Sequence, residues 1–295
     1  MTVHQLKQFF TPRGQALLPG FDDLWQALAF GPQEVAASFA GFSLHSAFQP
    51  IFDLKRRSTI GHEALLRAHG PSGATLSPEV VFATADDPAQ LVGLDRLCRT
   101  LHALNFLRQE SGDGGRLFLN VHPRHLLAVH EEHGKAFEAI LKHCGIGPGR
   151  IVLEVLESGI EDTGLLRRAV RNYRSRGYRI AVDDFGRDHS NFERLLILEP
   201  DIVKFDRSLL LRATEDRRVR RVLRRLADIV HDLGAIAVLE GLEQPVHLQI
   251  ANDAGIDWAQ GYLLGRPQRA LAAAGDSWPE EEQALIENVL WETAG

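Results

Sequence analysis

From residue 46 onward the apolar positions fall into short runs bounded by polar and glycine clusters, which is the pattern of strands joined by turns and helices. Runs over 47–54 and 60–68 predict two strands, separated only by the polar turn Lys55-Arg56-Arg57-Ser58-Thr59. A link this short cannot hold a parallel crossover, which takes about a dozen residues, so the two strands are expected to run antiparallel. Ser77-Pro78 then supplies an N-cap followed by proline at the first helical position. A longer helix is predicted over 91–108, with Leu94, Leu97, Cys98, Leu101 and Leu104 on one face. After the glycines of 112–115, apolar strands over 116–121, 151–156, 180–184, 202–205, 235–240 and 258–263 alternate with helical stretches of roughly ten residues or more. Eight strands alternating with amphipathic helices point to an α/β fold, a closed TIM-like (β/α)8 barrel whose one irregularity is the opening hairpin. An open doubly wound sheet is the main competitor, but no glycine-rich phosphate loop follows the first strand.

The flanks read differently. Residues 1–42 carry short apolar-periodic pieces such as Leu24-Trp25-Gln26-Ala27-Leu28, interrupted by Pro12, Gly14, Pro19, Gly20 and Pro32, and are expected to be an N-terminal helical extension. The barrel domain is assigned to 43–270, and 271–295 to a helical tail packed on it, opened by Pro279-Glu280-Glu281-Glu282 with acidic residues in its first turn.

Composition narrows the classes. The 295 residues are 44% apolar, enough for a sizeable core, and the net charge of −6 argues against nucleic-acid binding by the whole surface. Cys98 and Cys144 are far apart and outside any C-x-x-C pair, so neither a disulfide framework nor a thiolate zinc site is expected. With no membrane-length apolar run and no signal-peptide layout at the N-terminus, the expectation is a soluble, cytoplasmic protein. His122, His125, His130 and His133 lack the spacing of a zinc motif and are expected to be solvent-facing or loop residues. In the arginine run 217–225, Val219, Val222, Leu223, Leu226 and Val230 mark a helical core face, which leaves the arginines solvated or available to a regulatory protein partner.

Chemistry enters through polar residues set singly among apolar neighbours. Glu63, Asn120, Glu154, the pair Asp183 and Asp184, Lys204, Glu240 and Gln260 occupy strands two through eight in succession. In a barrel, residues near the C-terminal strand ends converge on the mouth, so these groups are expected in one pocket. Oxygen ligands without cysteine or histidine suit hard cations, Mg2+ or Mn2+, and the number of carboxylates suits two ions with Asp183 as the bridge. For Asp183-Asp184 alone a plainer reading stays open, a strand running into a helix N-cap with Asp184 bonding free N–H groups and Asp183 solvated.

Gly61-His62-Glu63-Ala64-Leu65-Leu66-Arg67 resembles the motif that names the EAL family of cyclic di-GMP phosphodiesterases. Gln49-Pro50-Ile51, Leu119-Asn120-Val121, Glu154-Val155-Leu156-Glu157, Asp183-Asp184-Phe185-Gly186, Lys204-Phe205-Asp206, Glu240-Gly241-Leu242-Glu243 and Gln260-Gly261-Tyr262 follow in the family's order. The resemblance implies a barrel with an antiparallel first strand and hydrolysis of cyclic di-GMP to linear pGpG. It implies that Glu63, Asn120, Glu154 and Asp183 hold one metal ion and Asp183 and Asp184 the second, with Glu240 also a ligand. Lys204, Glu240 and Glu63 would be catalytic. Gln49, Leu65, Arg67, Asp206, Gln260 and Pro267 would contact the dinucleotide, Glu157 and Glu243 would support the loop after the aspartates, and the protein would be a homodimer. That loop departs from the family: it reads Arg187-Asp188-His189-Ser190-Asn191-Phe192, where a small hydroxyl residue, a second glycine and an aromatic are usual. A cyclic di-GMP receptor that binds without cleaving is therefore the second reading.

Overall fold

The computed structural model describes residues 26–109, 115–129, 135–156, 162–187 and 192–272. The polar turn at 54–57 reverses the chain between β3 (Phe42–Asp53) and β4 (Ser58–His69), which pair antiparallel along their length. Six further strands then run parallel to β4: β6 (Arg116–Val121), β7 (Ile151–Leu156), β8 (Arg179–Phe185), β9 (Ile202–Phe205), β10 (Ile236–Leu239) and β11 (Trp258–Ala259). β11 returns to pair antiparallel with β3 and closes an eight-stranded barrel in which β3 is the one reversed strand. The last strand is shorter than 258–263, because the chain turns away after Ala259.

Helices cover the outside: α1 (Pro78–Ala83), α2 (Pro88–Gln109), α3 (Pro123–Ala128), α4 (Lys135–Cys144), α5 (Thr163–Ser175), α6 (Phe192–Leu198), α7 (Arg207–Glu215), α8 (Arg217–Asp232) and α9 (Pro245–Asp253). The predicted face of α2 is buried, including Leu94, Leu97, Leu101 and Leu104, and truncating one such leucine to alanine costs about 2–5 kcal/mol. Between its apolar residues Asp95 carries the buried Arg99 guanidinium and His125 Nδ1 at 3.2 Å. His125 is therefore a core residue and not the solvent-facing one expected; His122 N-caps α3 and stacks on Phe82, while His130 and His133 lie outside the described residues.

Part of the expected helical extension is sheet instead. β1 (Leu28–Phe30) and β2 (Val35–Phe39) form a hairpin that extends β3, and a short β5 (Thr75–Leu76) pairs with β4. The hairpin is pinned by Asn105 of α2, whose side chain accepts from the Val35 N–H at 2.8 Å and donates to the Val35 carbonyl at 2.7 Å. Residues 1–25 and the tail from 273 lie outside the described residues.

The barrel interior explains the single polar residue per strand. Ile51, Phe118, Val152, Ala181, Ile202, Val238 and Trp258 form one buried cluster inside the barrel. Side chains repeat every two residues along a strand, so the positions two on from the last six, Asn120, Glu154, Asp183, Lys204, Glu240 and Gln260, stand one layer higher on the same inward face.

Candidate active site

Lys204 of β9 lies at the centre of this upper layer and is only 1% exposed. Its Nζ is 2.6 Å from Glu154 Oε1 and 2.6 Å from Glu240 Oε1, with Asp183 Oδ1 at 3.3 Å and Glu63 Oε2 at 3.4 Å. Glu63 is further held by Gln260 Nε2 at 2.8 Å and Asn120 Nδ2 at 3.1 Å. Seven of the eight strand residues picked out by their polarity thus converge on one point, and Asp184 stands beside them.

Asp183 and Asp184 should face opposite sides of a regular strand. Here the β8–β9 register slips between Val182 and Phe185, and Asp184 takes φ +58°, so a bulge carries one extra residue. Both carboxylates line the same cavity, and with Glu240 they bring ligand oxygens within 4.8 Å of one another. Asp183 is buried, which removes the solvated N-cap reading.

The cavity has a volume of about 410 Å³ and is walled by Gln49, Glu63, Asp183, Asp184, Glu240 and Gln260 together with Arg207, Glu243 and Tyr262. Gln49 donates to the Gly265 carbonyl at 3.1 Å, and Glu243 pairs with Arg207 at 2.9 Å. Arg207 and Tyr262 were given no role from sequence, although Arg207 follows one matched motif and Tyr262 ends another. Gly261 is required by contact: a Cβ there would fall 2.1 Å from the Leu242 carbonyl oxygen. Leu65 and Arg67 stand partly exposed on β4, two and four residues beyond Glu63 and on its side of the strand. Asp206 instead caps α7, accepting from the Ser208 N–H at 2.9 Å, and neither it nor Pro267 lines the cavity. Glu157 lies outside the described residues.

The electrostatics show what the cluster lacks. Burial, with repulsion from Glu63 and Asp183, pushes Glu154 well above the ordinary carboxylate value, and burial with the same kind of repulsion raises Asp183 and takes Glu240 to about 8. For Glu63 burial acts upward too, but the Lys204 charge and the Gln260 and Asn120 hydrogen bonds outweigh it and leave it lowered. Burial alone would deprotonate Lys204, yet its four carboxylates hold it well above its usual value. One ammonium is too little for this many acids. Both Glu154 oxygens and Asp183 Oδ1 are buried without a hydrogen-bond partner among the described residues, and Glu154 Oε1 and Asp183 Oδ1 approach Lys204 as ion contacts only. Unsatisfied, all-oxygen donors at the closed end of a polar cavity fit a hard divalent cation.

The sequence profile described as EAL domain matches residues 33–267, from the turn between β1 and β2 to beyond the barrel's last strand. The uncharacterized EAL-domain containing protein YkuI of Bacillus subtilis (strain 168) is 30% identical over 225 residues, which is 75% of this chain and 54% of that protein. A probable cyclic di-GMP phosphodiesterase of Escherichia coli (strain K12), PdeN, is 25% identical over 243 residues, 80% of this chain and 45% of the relative. This chain thus spans only about half the length of these curated relatives. The crystal structure of the YkuI protein in complex with substrate c-di-GMP and calcium superposes with a TM-score of 0.70 at 25% identity, covering 85% of this chain and 61% of that one. With the family profile matched across the whole barrel, the chain belongs to the EAL domain family.

Proposed function

We propose that this chain hydrolyses one phosphodiester bond of cyclic di-GMP, giving linear pGpG, with Mg2+ or Mn2+ held at the barrel mouth. The observation that carries the reading is the ring of four carboxylates around a buried lysine, three of which line a polar-walled cavity. Glu63, Asn120, Glu154, Asp183, Asp184 and Glu240 would hold the metal, which when bound supplies charge neutralisation at the phosphate and a more acidic water. Lys204 stays protonated among its carboxylates, so it donates hydrogen bonds to the attacking water or the phosphate and does not accept a proton. Glu240 stands beside it at the cavity wall as the carboxylate placed to take the water's proton. In the overall step water's oxygen bonds to phosphorus, the P–O3′ bond breaks, and the departing 3′-oxygen ends protonated. Gln49, Leu65 and Arg67 would line the dinucleotide's path over the β3–β4 side, and a homodimer is the proposed assembly.

One observation favours a second reading, a receptor that binds without cleaving: an arginine in the departing loop already pairs with Asp184. Purified protein incubated with cyclic di-GMP and Mg2+ or Mn2+, followed by chromatography, separates the two. Conversion to pGpG that Glu63→Gln reduces by about a hundredfold or more supports hydrolysis. Binding without turnover supports the receptor, and absence of binding overturns both.

A further inference from the structure

The segment after the aspartates returns on itself. The Arg187 N–H donates to the Asp184 carbonyl at 3.2 Å, closing a four-residue turn in which Gly186 has φ +96°. The same turn brings the Arg187 guanidinium back to its starting residue, with Nη1 3.1 Å from Asp184 Oδ2 as both a hydrogen bond and an ion pair. Asp184 is the outermost of the three carboxylates whose oxygens gather closely enough to hold an ion. Backbone geometry therefore tethers a positive charge on a group that the metal-dependent reading assigns to a second divalent cation.

We propose that Arg187 acts as an internal counter-ion at the second metal position, so that the resting site holds one divalent cation and binds a second only weakly. The inference rests on the metal-dependent reading given above. Charge supports it. Once a cation is bound and Glu63, Glu154, Asp183, Asp184 and Glu240 are all carboxylates, they face Lys204 and Arg187 among the described residues, which leaves three negative charges. One divalent ion brings this to a single negative charge, and a second would overshoot to positive. Without Arg187 four negative charges remain, which two divalent ions neutralise. The guanidinium also occupies one Asp184 oxygen directly, so a second ion must displace a charge-assisted hydrogen bond as well as meet its repulsion. The two phosphates of a cyclic dinucleotide restore the missing negative charge, which ties occupancy of the second position to an anionic ligand in the cavity.

The test counts ions and does not depend on turnover. Chelator-stripped wild type, Arg187→Gln and Arg187→Lys are titrated with Mn2+ in the absence of nucleotide, and free Mn2+ is followed by electron paramagnetic resonance. Arg187 is 62% exposed, so neither substitution disturbs packing. Wild type and Arg187→Lys are expected to bind one Mn2+ tightly, whereas Arg187→Gln binds two, the second at least about tenfold tighter than in wild type. Equal stoichiometry and affinity in wild type and Arg187→Gln, with at least one ion bound, overturns the counter-ion role and leaves the metal-dependent reading intact. Failure of every variant to bind Mn2+ overturns both.

Discussion

At Asp184 a single left-handed residue decides the chemistry of the site. L-residues rarely take φ +58°, and aspartate is one of the few side chains that tolerates it. Without that bulge the neighbouring carboxylate would point away from the cavity, and the repulsion in Asp183-Asp184 would be relieved rather than used. Buried polar residues elsewhere obey the same logic with the opposite outcome. Asn105 Nδ2 donates to Ser46 Oγ at 3.2 Å, which frees the serine hydroxyl to donate to His102 Nδ1 at 2.8 Å. Burial followed by the Arg67 charge keeps the imidazole neutral, lowering the His102 pKa from 6.5 to about 3. The unfolded chain therefore binds a proton that the folded chain refuses. The resulting stability is fully present above pH 6.5 and is lost as pH falls from there toward 3, at up to about 1.4 kcal/mol per pH unit. Denaturant unfolding at pH 7 and pH 5 should show this slope, and His102→Gln should flatten it; an unchanged slope would mean that other groups account for it.

Among the elements, the barrel strands were legible because each is largely buried and reads as an apolar run broken by a single inward polar residue: 116–121, 151–156 and 202–205 match the observed bounds. The β1–β2 hairpin was not, because three- and five-residue strands around Gly31 and Pro32 carry no period to read. Its order comes from a distant side chain. Asn105→Ala would strand both polar groups of Val35 and is expected to cost about 2–4 kcal/mol in equilibrium unfolding, with faster amide exchange across 28–39 as the sign that the hairpin itself has loosened. In α8 the predicted core face holds for Leu223 and Val230, but Val222 is 51% exposed, displaced from the barrel by the helix's rotation. Its arginines mostly face solvent, Arg220 excepted, which caps the end of α7 through the Ala213 and Thr214 carbonyls. The polar strand residues of the site were readable for the same reason as the strands, a lone charge standing out in an apolar run. Arg187 was not, since its meaning depends on a turn that folds it back onto Asp184.

For the molecule as a whole, the acidic mouth is a destabilising feature that a bound cation would offset. Mg2+ or Mn2+ at a hundred times its dissociation constant should stabilise the protein by about 2.7 kcal/mol, a rise of several degrees in the unfolding midpoint that EDTA reverses. Absence of any shift, measured by calorimetry, would count against a metal at this position. The apolar layer of Ile51, Phe118, Val152, Ala181, Ile202, Val238 and Trp258 gives that mouth an apolar floor. Glu63, Asp183 and Glu240 around Lys204 line the cavity above that layer, the space that a dinucleotide would itself occupy. A dinucleotide filling that space would cover the ions beneath it, so the order of arrival would become part of how such a vessel works.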